Sequence, residues 1–111
     1  MDLRLFMLQR LTAAVLGPLV LVHLGLILHA VRGGLTAQEI LARTQDNAWW
    51  MAFYGLFVVA AAVHAGIGVR NVLLEWLRLP RRLGDALGLL FGAALLVLGV
   101  RAVVAVGGAW A

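Results

Sequence analysis

Residues 11–31 read LTAAVLGPLVLVHLGLILHAV, a run of 21 residues without a charge between Arg10 and Arg32. A helix needs roughly 20 mostly apolar residues to cross about 30 Å of hydrocarbon. Two further runs meet that requirement, because residues 48–69 carry no charge and residues 86–106 carry a single one. The sequence therefore predicts an all-α membrane protein with three transmembrane helices, running up-down-up.

The composition supports a membrane protein. Of the 111 residues, 64% are hydrophobic and 13% charged, and the mean hydropathy is +1.01. Soluble domains carry about 25% charged residues, nearly twice the fraction found here. A soluble chain this short would bury only part of its apolar surface and leave the rest in water. There is no cysteine, which excludes disulfides, thiolate zinc sites and iron–sulfur clusters built from this chain alone. All nine basic residues are arginines, and the net charge of +4 fits topology signals at membrane edges better than a nucleic-acid surface.

Helix ends follow from the charged and turn-forming residues. We predict a single membrane domain, 1–111, with spans at 8–32, 48–76 and 83–108. The first connection contains polar residues, and 35–44 is expected to form one or two interfacial helical turns. In the second connection we expect Pro80 to end the preceding helix and Asp85 to cap the next one.

Orientation follows from the arginines near the helix ends. Six lie at the amino-terminal edge and in the second connection: Arg4, Arg10, Arg70, Arg78, Arg81 and Arg82. Three lie at the opposite edge: Arg32, Arg43 and Arg101. The excess predicts a cytoplasmic amino terminus and a periplasmic carboxy terminus. Tryptophans at both boundaries fit an aromatic belt: Trp49, Trp50 and Trp110 outside and Trp76 inside.

Three intramembrane histidines are candidates for chemistry, because polar groups in a span are expensive. A helical stripe continues from His64 through Gly68 and Asn71 to Glu75. The glycine leaves room for a flat macrocycle, and the polar residues lead to the cytoplasmic edge. An intramembrane histidine can form a hydrogen bond between helices, act as a proton relay or bind a haem iron. This stripe favours a haem axial ligand at His64. His29, near Arg32, is expected to be only interfacial.

His23 and His64 are predicted to lie at different depths. His23 is ~20 Å and His64 ~9 Å from the cytoplasmic edge at 1.5 Å per residue. Two ligands of one iron should be nearly level, and helix tilt does not remove a mismatch of about 10 Å. The second axial ligand is therefore expected from another chain.

Two further polar or small-residue features have simpler explanations. Gly84, Gly88 and Gly92 repeat at i+4 and predict a face for close helix packing. Thr12 can bond back to its own helix and needs no function.

Two segments carry a resemblance to a known family. Leu8-Gln9-Arg10-Leu11-Thr12-Ala13 opens helix one, and His64-Ala-Gly-Ile-Gly68-Val-Arg70 continues to Glu75-Trp76 in helix two. With three spans, these segments resemble the small membrane-anchor subunits of succinate dehydrogenase (respiratory complex II). The opening is closest to the D-type anchor and the Gly-x-Arg to the C-type cytochrome b subunit, so both types stay open.

The resemblance implies roles for individual residues. His64 would be an axial ligand of haem b, shared with a partner anchor. Residues implied beside the haem or its propionates are Arg10, Gly68, Arg70 and Asn71. Residues implied at the quinone, ubiquinone or menaquinone, are Arg10, Glu75 and Trp76. Glu75 stands where the family usually has Asp. Trp76 replaces a tyrosine of D-type anchors, and an indole cannot accept or release a proton as a phenol can.

The resemblance also implies partners and a location. The chain would belong to a heteromeric helix bundle in the bacterial inner membrane, with a second membrane-anchor subunit, an iron–sulfur subunit and a flavoprotein subunit. It would help to pass electrons from succinate to quinone, without a dehydrogenase active site of its own and without nucleic acid. The alternatives are the anchor of a quinol:fumarate reductase, or a cofactor-free membrane scaffold or transporter subunit.

Overall fold

The computed structural model describes residues 2–34 and 36–107. Four helices follow in chain order: α1 (Leu3–Gly33), α2 (Ala37–Thr44), α3 (Ala48–Glu75) and α4 (Arg81–Gly107). Of these, α1, α3 and α4 are long and apolar enough to span a membrane, which confirms the predicted count. The helix α2 has two turns, as expected for the first connection. Trp110 and the predicted end of the last span at residue 108 lie outside the described residues.

Side-chain caps set the beginnings of three helices. The Asp2 carboxylate accepts from the backbone N–H of Arg4, and the Asn47 side chain accepts from those of Trp49 and Trp50. The Thr36 hydroxyl accepts from the N–H of Glu39 at the start of α2. Each cap satisfies a donor that has no partner within its own helix. As a result α1 begins five residues before the predicted start at residue 8.

The turn between α3 and α4 differs from the expectation. The helix α3 ends at Glu75, before Pro80, and Arg78 takes a positive φ of 53° in the turn. Pro80 instead precedes α4, and its carbonyl accepts from the N–H of Gly84. Asp85 therefore lies inside α4 and does not cap it.

The three spans are antiparallel to their neighbours, with α3 in the middle. Five glycines of α4 face α3: Gly84, Gly88, Gly92, Gly99 and Gly107. At Gly88, an added Cβ would lie 2.8 Å from both the Arg70 Cβ and the Gly66 carbonyl oxygen. Backbones can approach this closely only where the side chain is a hydrogen. The predicted glycine face therefore packs within the chain and extends over the whole helix.

The other side of α3 contacts α1, which is less covered. Among the described residues of α1, only Thr12 and Ala30 are buried. In a membrane protein, the remaining apolar surface faces lipid or another subunit. Hydrogen bonds hold α2 and the following turn against the end of α4: the Thr44 hydroxyl donates to the Val106 carbonyl at 2.8 Å, and the N–H of Asp46 donates to the Gly107 carbonyl.

This topology brings together the start of α1, the end of α3 and the start of α4, which we call the basic end. The opposite end, closed by α2, is called the α2 end. Both ends carry charge, but six of the nine arginines belong to the basic end.

Candidate functional site

The contact between His64 and Thr12 joins α3 to α1. Thr12 is 8% exposed, and its hydroxyl donates to the Leu8 carbonyl at 2.8 Å. The same hydroxyl oxygen lies 3.1 Å from the Nδ1 atom of His64. The hydroxyl has one hydrogen, and when it is donated to the Leu8 carbonyl, the shorter contact, the oxygen can accept from the Nδ1–H of His64. This arrangement leaves the lone pair on Nε2, the atom available to a metal.

The next turn of the stripe lies against a glutamine. A Cβ on Gly68 would be 3.5 Å from the Nε2 atom of Gln9, so this amide covers part of the glycine surface. The Oε1 atom of Gln9 is buried and has no hydrogen-bond partner among the described residues. The structure thus places Gly68 in the predicted stripe and puts a polar side chain beside it.

A cavity of about 570 Å³ lies at the basic end. It is lined by Asp2, Arg70, Asn71, Leu74, Glu75, Leu79 and Arg81. Three of these lining residues, Arg70, Asn71 and Glu75, are among the site residues implied by the sequence resemblance. The cavity adds Asp2 and Arg81, to which the sequence assigned no site role. Carboxylates, guanidinium groups and an amide together can bind a polar head group and exchange protons with it.

Arg70 is the most buried charged group of this cavity, with a side chain 9% exposed. Its Nε donates to the Asp85 carboxylate on α4 at 2.5 Å, and its Nη1 donates to the Oδ1 atom of Asn71 at 3.1 Å. Asp85 is 52% exposed, so the ion pair reaches from the helix interface to the surface. The pair explains how an arginine is accommodated within a span.

Two predicted residues lie outside this cavity. Arg10 is exposed on α1, with its guanidinium carbon 5.7 Å from the centre of the Phe6 ring, a cation–π contact. Trp76 follows α3 and is 80% exposed. Neither Arg10 nor Trp76 lines the cavity that contains Glu75, and any common site would require surfaces of other subunits.

His23 lies far from His64. Its ring packs edge-on against Tyr54 and Phe57, with ring centres 6.1 and 5.3 Å apart. These groups line a second, mostly apolar cavity of about 330 Å³ towards the α2 end. His64 contacts Thr12, 11 residues before His23 on α1, and His23 contacts Phe57, seven residues before His64 on α3. At 1.5 Å per residue, the two histidines are therefore separated by roughly 10–17 Å along the helices. His29 is exposed nearer the α2 end.

Sequence reasoning missed two partners. Thr12 does bond back to its helix, but it also contacts His64. Asp85 holds Arg70, although its position near the start of a span predicted a cap. A signal for Asp85 was present in the glycines on either side of it, Gly84 and Gly88, which bring α4 close to α3. The contact between Thr12 and His64 could not be predicted from a local sequence pattern, because it depends on the register of two separate helices.

The architecture defines an integral membrane subunit of three antiparallel spans, with a histidine held between two of them and a charged cavity at one end. Residues 1–100 match the model of the succinate dehydrogenase/fumarate reductase transmembrane subunit, and the chain belongs to this family. It is therefore a membrane-embedded subunit of this class of complex. No curated protein and no solved structure matches the chain significantly. The family favours an anchor over a small transporter.

Proposed function

We propose that this chain is a membrane anchor of a succinate:quinone oxidoreductase and that His64 is one axial ligand of a haem b. The family supports the first part, and the contact between Thr12 and His64 carries the second. An imidazole ligand usually donates its other N–H to an oxygen, which fixes the ring and strengthens the ligand. Thr12 supplies that oxygen, so the described residues fit the iron of a haem. The haem, when bound, would supply one-electron transfer.

The second axial ligand comes, in this proposal, from a partner anchor. His23 is too distant from His64 along α1 to share an iron with it. The exposed apolar surface of α1 is consistent with a second membrane subunit beside this chain. The haem would then lie between two anchors, each contributing one histidine.

The cavity at the basic end is the candidate site for the quinone head group. Asn71 carries an amide that can donate to a carbonyl, and Glu75 carries a carboxylate that can receive or release a proton. Glu75 is exposed, which allows proton exchange with water. Arg10 and Trp76 contribute only if a neighbouring subunit completes a site on the outer surface of the bundle.

Docking of the iron–sulfur and flavoprotein subunits is assigned to the basic end. Arg78, Arg81 and Arg82 are exposed in or beside the turn between α3 and α4. Arginines concentrate on the cytoplasmic side of membrane proteins, where these soluble subunits would be made and bound. The proposal therefore places this end, and the quinone cavity, at the cytoplasmic face of a bacterial inner membrane.

Thr12→Val tests the haem assignment in the purified complex. Valine has a similar shape but leaves the Nδ1–H of His64 without its acceptor. Losing a ligand's outer partner typically costs about 10–100-fold in metal affinity or activity. We expect a smaller haem content and a raised haem midpoint potential, because a weaker imidazole donor stabilises ferric iron less. Reduced-minus-oxidised spectra during a redox titration measure both quantities.

Two variants control for general loss of stability. Thr12→Ser keeps the hydroxyl and should restore the haem potential. Thr44→Val removes another buried threonine hydroxyl at the α2 end, so the protein should lose stability without a change in the haem spectrum. Equal potentials in the Thr12→Val and wild-type complexes would contradict the assignment.

Cysteine labelling tests the orientation, since the chain has no cysteine of its own. Gln45→Cys places a thiol at the α2 end, and Leu77→Cys places one at the basic end; both positions are exposed. In intact spheroplasts, an impermeant maleimide should label the first and reach the second only after lysis. The opposite pattern would put the basic end and the quinone cavity on the periplasmic side.

A further inference from the structure

The ion pair of Arg70 and Asp85 leaves part of the guanidinium without a partner among the described residues. Asp85 binds the Nε edge of the guanidinium, and Asn71 accepts from Nη1. Of the five N–H donors of an arginine, these contacts use two and leave three. Within residues 2–34 and 36–107, the remaining three have no hydrogen-bond partner, and Arg70 lines the cavity at the basic end.

The close packing of α4 makes this geometry rigid. Gly84 packs against the side chain of Leu74, and Gly88 packs against the Cβ of Arg70 and the carbonyl oxygen of Gly66, so neither glycine of α4 places a side chain of its own between the helices. The backbone at Asp85 is therefore held close to α3, and it can move away from the Arg70 guanidinium only if the contact between the two helices opens. Arg70 is held from the α4 side by Asp85, and the same residue lines the cavity at the basic end.

We propose that Asp85 is a positioning residue for the bound cofactor. By holding the Nε edge of Arg70, it directs the rest of the guanidinium towards a carboxylate, the chemical group of a haem propionate. A guanidinium matches a carboxylate through paired N–H donors, which a lysine ammonium cannot imitate. This inference rests on the proposed binding of haem through His64. It adds a residue on another helix that acts through Arg70.

The test compares haem reduction in intact complexes that carry single and double substitutions. The readout is the ratio of reduced to oxidised haem at the wild-type midpoint potential. Arg70→Gln removes a positive charge beside the haem and should lower this ratio, because reduction adds an electron. Asp85→Asn should lower it in the same direction, since Arg70 loses its orientation. We expect at least about a twofold decrease, the lower end of the coupling found between interacting residues.

The direction separates positioning from a direct charge effect. Removal of a negative charge by itself favours the reduced haem, so Asp85→Asn would raise the ratio if Arg70 kept its place. In the Arg70→Gln background, Asp85→Asn should no longer lower the ratio. Asp85→Glu keeps the carboxylate, and its ratio of reduced to oxidised haem should be close to that of the wild type. Asp46→Asn removes an acid at the α2 end, where a positive φ of 57° suits asparagine, and should leave the ratio unchanged.

Arg70→Lys keeps the test decisive if Asp85→Asn does not assemble. It preserves the buried charge but not the fork of donors, and the ratio should fall. A wild-type ratio in Arg70→Lys, or an unchanged or raised ratio in an assembled Asp85→Asn complex, would overturn the proposal. These failures differ from failure of the haem assignment, in which His64→Leu would keep the normal haem spectrum.

Discussion

His64→Leu should remove the b-type haem signal from the assembled complex. Leucine occupies a similar volume but has no atom that can bind iron. The loss should exceed the roughly 10–100-fold effect that follows removal of a ligand's outer partner. Haem content per complex and the reduced-minus-oxidised spectrum measure the result. Because the Thr12 hydroxyl keeps its hydrogen bond to the Leu8 carbonyl, the packing of α1 on α3 should survive.

His23→Leu is the matched control for this substitution. It removes another intramembrane histidine, one that packs on Tyr54 and Phe57 away from His64. Its haem content and spectrum should stay close to wild type. A low-spin bis-histidine spectrum of normal intensity in His64→Leu would exclude His64 as the ligand, whereas loss of the spectrum in His23→Leu would assign a ligand to the other end of α1.

Gly88→Ala should destabilise the helix pair although it adds one methyl group. The new Cβ would lie 2.8 Å from the Cβ of Arg70 and from the backbone oxygen of Gly66, neither of which is a flexible side-chain end. Overpacking of this kind costs about 1–3 kcal/mol, more than the gain of up to about 1 kcal/mol in helix propensity. After heating the complex, the fraction of this chain that still co-elutes with its partners should fall at a lower temperature.

Gly25→Ala controls for the change of residue type. Beyond its own chain neighbours and the adjacent backbone of α1, no atom of the described residues lies within 4 Å of a Cβ at Gly25, so the substitution should be neutral or slightly stabilising. The Gly88→Ala complex should also have a disturbed ion pair between Arg70 and Asp85. The close contact of α4 with α3 at Gly88 is what places the Asp85 carboxylate within hydrogen-bond distance of Arg70. Equal heat resistance of the two alanine variants would show that α3 and α4 are not packed at Gly88.

Sequence and structure agree most closely where a single helix decides the answer. Charge-free runs of about 20 residues are long enough to cross a bilayer, so the three spans could be predicted from length and hydropathy alone. The stripe from His64 to Glu75 also belongs to one helix, and its spacing places the residues on one face before any tertiary contact exists. The glycine face of α4 was predicted in the same way, although only its first three members were recognised.

The turn near Pro80 shows where local rules fall short. A proline explains why a helix cannot continue through it, but α3 ends at Glu75, five residues before Pro80. Pro80 instead precedes α4, where its carbonyl accepts from the N–H of Gly84. Asp85 has the residue type of a helix cap, yet it is used four residues inside α4 for an ion pair. In both cases, several positions satisfy the local preference, and the packing of α3 on α4 selects one of them.

The sequence by itself determined the membrane location, the number of spans and the residue types available for chemistry, because these depend on composition and on the period of one helix. Only the tertiary structure decided that Thr12 meets His64, that Asp85 holds Arg70 and that Arg10 does not line the cavity. Such pairings depend on the register and rotation of neighbouring helices. A shift of one residue turns a helical side chain by about 100°, enough to replace its partner.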